Sequence, residues 1–212
     1  MIVLLTALAP LAAAETTAPP APALDDLLAG LKATYGETQA IQADFTQTTR
    51  SEAFGEGPVQ TGQITLGRPR MMRVEFTGDA GSLFLSDGDN LYVYSSIGNQ
   101  VIITPDLAEK SDGVADLLGN LSALEEQFDI TLLSTDDAST ELSLTPKSAA
   151  QFKSMEMSLT PDYRLTRLSV TDAFDSTTEM KFENMTVDPE LPAGVFEFTV
   201  PEGAQVIRSD SI

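Results

Sequence analysis

The stretch GRPRMMRVEF, Gly67 to Phe76, decides the fold. Its Arg68-Pro69 pair punctuates the chain, and strict alternation follows. Met72, Val74 and Phe76 are apolar, whereas Met71, Arg73 and Glu75 between them are mostly wettable. A period of two places the first set on one face of a strand and the second set on the other. The strand therefore has a floor of soft apolar side chains and an arginine, Arg68, at its entrance.

The same grammar extends in both directions. Upstream, IQADFTQT (41–48) sets Ile41, Ala43 and Phe45 against Gln42, Asp44 and Thr46. Downstream, SLFLSDGDNLYVYS (82–95) is two apolar runs around Asp87-Gly88-Asp89-Asn90, a hairpin signal. QVIITP (100–105), FDITLLST (128–135), TELSLTPK (140–147), FKSMEMSLTPD (152–162), RLTRLSVTD (164–172), TEMKFENMTV (178–187) and GVFEFTVP (194–201) follow, joined by short Asp, Gly and Pro turns. About nine or ten such strands, mostly hairpin-linked, predict an antiparallel meander curling into a barrel or part-barrel.

Two segments break the pattern. LDDLLAGLKATYGE (24–37) carries Leu24, Leu27, Leu28, Leu31 and Tyr35 at the three-to-four spacing of an amphipathic helix, with Gly36 as a stop. DLAEKSDGVADLLGNLSALEEQ (106–127) is too long for a hairpin loop and spaces Val114, Leu117, Leu118, Leu121 and Leu124 helically, with Gly119-Asn120 dividing it into two short helices. From pattern alone this segment reads equally as a lid over a curved sheet or as one more core helix. At the start, MIVLLTALAPLAAA (1–14) is uncharged and ends in three alanines before Glu15, the form of a secretory signal peptide cleaved after Ala14, although no Lys or Arg precedes the apolar run. ETTAPPAPA (15–23) reads as a flexible Pro/Ala-rich tether, and 24–212 as the folded domain.

Composition narrows the chemistry. With 12 basic and 32 acidic side chains the net charge is −20, which makes nucleic acid and anionic membrane poor partners. The chain contains no His and no Cys, which removes a Ser-His-Asp triad, a thiol nucleophile and an HExxH zinc site. SDGDN spaces its carboxylates like the start of a calcium loop but lacks the closing Glu, so it reads as a turn. No metal, cofactor or catalytic residue is expected, and the protein is read as not an enzyme.

What remains is apolar surface. Leu83, Phe84 and Leu85, then Leu91, Tyr92, Val93 and Tyr94, then Val101, Ile102 and Ile103, are apolar on both strand faces. A sheet with one wet face should alternate, so this one is either covered twice or holds something the chain does not encode. Met71, Met72, Met155, Met157, Met180 and Met185 lie in or beside the strands, where adaptable side chains suit a core or a flexible guest.

In order along the chain, ADFTQ (43–47), the GxIxLGRPxxxRxEF pattern (62–76), SDGxxLYVY (86–94), Thr104-Pro105 and LPAGVFEFTVPEGAQVI (191–207) resemble the periplasmic outer-membrane lipoprotein carrier family, LolA. The resemblance covers roughly 24–207. It implies a mainly β fold with an α lid, an unclosed antiparallel β-barrel (half-barrel) whose concave apolar face is covered by helices. It also implies a periplasmic carrier that takes lipoproteins from an inner-membrane lipoprotein-releasing ABC transporter to an outer-membrane acceptor, acting as a monomer. The implied cavity for lipoprotein acyl chains is assigned to Met72, Val74, Phe76, Phe84, Tyr92 and Tyr94 with Leu28 and Leu31 of the helix. Its lid is assigned to Val114, Leu117, Leu118 and Leu121. Arg68 is the implied latch, expected to bond the carbonyls of a short helix ending near Leu118-Gly119. The alternative reading is a LolA-like lipid-binding sensor or envelope interaction domain that does not transport.

Overall fold

The computed structural model describes residues 24–78, 81–105, 120–148, 150 and 152–209. The expected leader and tether, and the lid residues Val114, Leu117 and Leu118, lie outside the described residues.

The chain opens with helix α1 (Leu24–Tyr35), which has Asp25 and Asp26 at the positive end of its dipole and Lys32 in its last turn. Its apolar stripe buries Leu27, Leu31 and Tyr35. The helix lies so close to the turn at 160–164 that any side chain at Gly30 would collide with the ring of Tyr163.

Thirteen strands follow: β1 (Ala40–Ser51), β2 (Gly55–Glu56), β3 (Gln60–Gly67), β4 (Met71–Thr77), β5 (Ser82–Asp87), β6 (Asn90–Ser95), β7 (Gln100–Pro105), β8 (Phe128–Thr135), β9 (Thr140–Pro146), β10 (Phe152–Leu159), β11 (Leu165–Asp172), β12 (Thr177–Val187) and β13 (Gln205–Arg208). Between β7 and β8 the described residues form a single 3-10 turn, Leu121–Ala123, and a short helix α2 (Leu124–Gln127).

All strands belong to one sheet in the order β13-β7-β6-β5-β4-β3-β1-β12-β11-β10-β9-β8, with β2 paired to β1. Among the described residues no ladder joins β8 to β13, so the barrel is not closed. The pairing is antiparallel except for β13, which runs parallel to β7. Two meanders, β3–β7 and β8–β12, therefore flank β1, which pairs with β3 on one side and β12 on the other. Asp188 fastens this central seam, accepting from the amides of Gln39 and Ala40 at 2.6 and 2.9 Å.

The expected strand over 194–201 does not form. Val195 and Glu197 donate to the carbonyls of Pro192 and Gly194 at 3.2 and 2.8 Å, a tight turn with Gly194 at φ 76°. The pairing strand begins only after Pro201, at Gln205. Prolines at both ends and a left-handed glycine override the alternation that GVFEFTVP displays.

Ladder registers fix what each face carries. The inner face bears Ile41, Ala43 and Phe45 of β1, Ile64 and Leu66 of β3, Leu142 and Leu144 of β9, Met155 and Met157 of β10, Leu168 of β11 and Phe182 of β12. These side chains form one core with Leu27, Leu31 and Tyr35 of α1 and with Leu121, Leu124 and Phe128. Met155 and Met157 are fully buried, ordinary core filling.

Candidate functional site

The doubly apolar strands β5, β6 and β7 have two different covers. On the outer face Leu85, Val101 and Ile103 are buried beneath the segment that does not become a strand. Phe198 stacks on Tyr92 with ring centroids 4.8 Å apart, and the ring of Phe196 packs flush on Gly67, beside Met71. The Tyr92 hydroxyl donates to Asp87 Oδ2 at 2.9 Å.

Tyr92 and Tyr94 therefore do not belong to the inner cavity to which the family resemblance assigns them. Tyr92 pairs with Leu85, which pairs with Arg73, and all three project to the outer face. The discrepancy has a physical origin: where both faces are apolar, period two no longer tells inside from outside.

The inner face of β4–β7 is set by the same registers. Its positions are Met72, Val74, Phe76, Ser82, Phe84, Ser86, Leu91, Val93, Ser95, Gln100, Ile102 and Thr104. None of them is ionisable, in a chain of net charge −20. Met72, Val74, Phe76 and Phe84 thus share one surface. Phe76 meets Phe45 edge-on at 5.2 Å and Phe84 at 5.9 Å, forming an aromatic trail across β1, β4 and β5. Gly62 lies between Phe45 and Phe76 on β3, and any side chain there would collide with the Phe45 ring.

One cross-strand row reads out how this surface is covered. Ile64, Val74, Phe84, Val93, Ile102 and Ile207 stand in register on successive strands β3, β4, β5, β6, β7 and β13. Ile64 is 3% and Val74 9% exposed, Phe84 and Val93 are intermediate, and Ile102 and Ile207 reach 36% and 38%. The core of the molecule thus runs out from under its own helices into water without changing chemistry.

Leu31 is wholly within the core, whereas Leu28 is half-buried and lines a groove between α1 and the 121–125 segment with Leu121 and Leu124. Leu121 itself is buried.

Arg68 is half-buried, and its guanidinium donates to the carbonyls of Gly36 and Tyr35, each at 2.9 Å. These are carbonyls at the C-terminal end of α1, where no intrahelical donor remains and the negative end of the dipole gathers. The backbone of Arg68 also donates to Gln39 O at 2.9 Å. The planar fork thus bonds carbonyls at a helix end, that of α1. The Leu118-Gly119 end lies outside the described residues.

The SDGDN stretch is a turn built on its first aspartate. Asp87 Oδ1 accepts from the amides of Asp89 and Asn90 at 2.9 and 2.7 Å. Burial works against its ionisation, but these amides and the Tyr92 hydroxyl hold the carboxyl below its ordinary value.

Known proteins share this architecture. The family model for outer membrane lipoprotein carrier protein LolA matches residues 36–199. The chain is 32% identical over 193 residues to an outer-membrane lipoprotein carrier protein of Cupriavidus pinatubonensis, covering 87% of this chain and 85% of that one. It is 29% identical over 188 residues to one of Bordetella avium, covering 84% and 85%. The fold is similar to that of an uncharacterized conserved protein from Thermus thermophilus, with a TM-score of 0.55 at 18% identity over 87% of this chain and 98% of that chain.

Proposed function

The chain belongs to the outer membrane lipoprotein carrier (LolA) family, and from that premise we propose that it carries lipoproteins across the periplasm with their acyl chains held on the inner face of β4–β7. The observation that carries this reading is the row from Ile64 to Ile207, apolar throughout and increasingly open to water. Exposing an acyl chain costs about 0.8 kcal/mol per CH₂, so a lipid anchor with several chains needs tens of kcal/mol of cover. An uncharged, soft-walled surface supplies that cover without charged anchors that would hinder release.

In this reading α1 and the turn and short helix over 121–127 border the guest. Arg68 latches the C-terminal end of α1, and its release lets the inner face widen. No catalytic step is assigned, and energy for loading comes from the donor, an inner-membrane ABC transporter, with an outer-membrane acceptor taking the cargo. The carrier acts as an exported monomer.

The test is uptake of an apolar fluorescent probe and its displacement by a triacylated lipopeptide. Phe76→Glu places an unpartnered carboxylate among apolar side chains, which costs several kcal/mol when the guest excludes water. We expect uptake to fall at least tenfold while circular dichroism stays that of the folded protein. A folded Phe76→Glu protein that binds probe and lipopeptide like the parent would remove the inner face from the mechanism.

A further inference from the structure

The two most exposed large apolar side chains among the described residues are Phe54, 92% exposed, and Phe174, 88% exposed. They are 120 positions apart in the sequence and adjacent in the fold. Phe54 occupies the turn between β1 and β2, and Phe174 the turn between β11 and β12. β1 and β12 pair directly, with Arg50 opposite Thr177 at the last step before both turns. Beyond Gln47, the last β1 residue paired to β3, four more residues of β1 continue with β12 and β2 beside them. At about 3.3 Å per residue this ribbon projects roughly 13 Å past the β3 edge.

Both rings are held out by structure. The Phe54 amide donates to Ser51 Oγ at 3.3 Å, Gly55 follows at φ 72°, and Arg50 closes the ribbon on Glu56 at 2.7 Å. The amides of Phe174 and Ser176 donate to Asp172 Oδ1 at 2.8 and 2.9 Å, and Lys153 pairs with Asp175 at 2.6 Å. Turns this well bonded fix the direction of a side chain that has no internal contact to repay its exposure.

We propose that this ribbon end is a contact site for a neutral, zwitterionic lipid surface, with Phe54 and Phe174 entering the boundary between headgroups and acyl chains. Isolated rings on separate turns match a fluid boundary, which needs no preformed sockets, better than they match a protein surface, which must provide one socket for each ring. The charges set the lipid class. The two turns and their partners carry Glu52, Glu56, Asp172 and Asp175 against Arg50 and Lys153, and both bases are engaged in ion pairs. Such an end repels anionic headgroups and does not depend on salt bridges to lipid. The aromatic trail of Phe45, Phe76 and Phe84 lies toward this same end of β4 and β5, since Phe76 is one residue from the end of β4 and Phe84 two from the start of β5. The proposal does not rest on what the inner face holds.

The chain contains no tryptophan, so Phe54→Trp and Phe174→Trp each create a sole emitter at a ring position. We expect the emission of each variant of the full chain to shift to shorter wavelength with phosphatidylcholine/phosphatidylethanolamine vesicles. Adding phosphatidylglycerol should weaken the response. In co-sedimentation, Phe54→Ser and Phe174→Ser should each lower partitioning of the parent protein about tenfold, with inner-face probe uptake unchanged. Emission that stays that of water-exposed indole at both positions would overturn the proposal, and with it sedimentation unaffected by either serine. Binding that rises with phosphatidylglycerol would overturn it as well, because a basic patch elsewhere would then be responsible.

Discussion

In the β8–β12 meander the middle of the inward row, Leu142, Met157 and Leu168, is wholly out of water, and its ends, Leu132 and Met180, are half-buried. In the β3–β7 meander the matching inward row begins buried at Ile64 and ends at Ile102, with Ile207 continuing it on β13, these last two each more than a third exposed. Antiparallel pairing and an apolar inward row are common to the two. The difference lies in the cover. The Tyr35 hydroxyl accepts from the Leu165 amide at 3.4 Å and reaches Met185 Sδ at 3.8 Å, tying α1 to the second meander, and the ring of Tyr163 lies against the helix at Gly30. The first meander receives its tight cover on the opposite side, where the C-terminal segment seals Leu85, Val101 and Ile103. One meander is platform and the other is surface, and a hydrophobic pattern alone cannot distinguish them because both read as core.

Truncation should separate them most clearly. Leu168→Ala removes fully buried methyl groups where the packing cannot collapse, and should cost about 3 kcal/mol in urea unfolding. Arg68→Leu comes next. It leaves the Tyr35 and Gly36 carbonyls without their charged donor and should cost about 2 kcal/mol, with probe uptake faster than in the parent because α1 is less firmly held. Val93→Ala in the open meander removes methyl groups already partly hydrated and should cost no more than about 1 kcal/mol. Equal losses for Leu168→Ala and Val93→Ala would erase the distinction between the two meanders.

Acid gives the mildest probe, with one carboxylate in each meander. The Arg167 guanidinium, 2.7 Å away, holds the Glu179 carboxyl below its ordinary value against a smaller effect of burial. Asp87 is likewise held low in the β5–β6 turn. A carboxyl that is more acidic when folded stabilises the fold above its unfolded value, near 4, and loses that contribution as pH falls toward the folded value. Melting temperature should therefore be level from about pH 7 to 5 and decline below about 4. Asp87→Asn and Glu179→Gln should each flatten part of that decline. A decline unchanged in both variants would assign acid sensitivity to other carboxylates.

Much of this architecture is legible in the sequence. The stripe of α1 predicts its buried face directly, and the alternation of Met72, Val74 and Phe76 predicts the inner face of β4. Other features are not legible. The partners of Arg68 escape a sequence pattern because a long guanidinium chooses among carbonyls that only the tertiary fold brings near, and Tyr35 and Gly36 are more than thirty residues away. The C-terminal cover reads as a strand because GVFEFTVP alternates from Phe196 to Val200, while Gly194 and the flanking prolines decide its actual path. Tyr92 and Tyr94 are misplaced as a consequence, since the segment that makes their face a buried one is then assigned elsewhere. An apolar run beside a Pro- and Gly-bounded aromatic segment is the available signal.

The seam between β1 and β12 has a consequence for how the chain acquires its structure. Ile41 stands opposite Val187, so the sheet's middle joins residues nearly 150 positions apart. Each meander can zip locally through short hairpins, whereas the seam must wait until both exist and a long loop closes. Until then β1 and β12 present bare ladder edges, the condition under which strands pair with the wrong neighbour. The Asp188 carboxylate, which gathers the amides of Gln39 and Ala40, stands on that late-forming seam and should close with it. Its loss would slow the final step of refolding more than it lowers the stability of either meander.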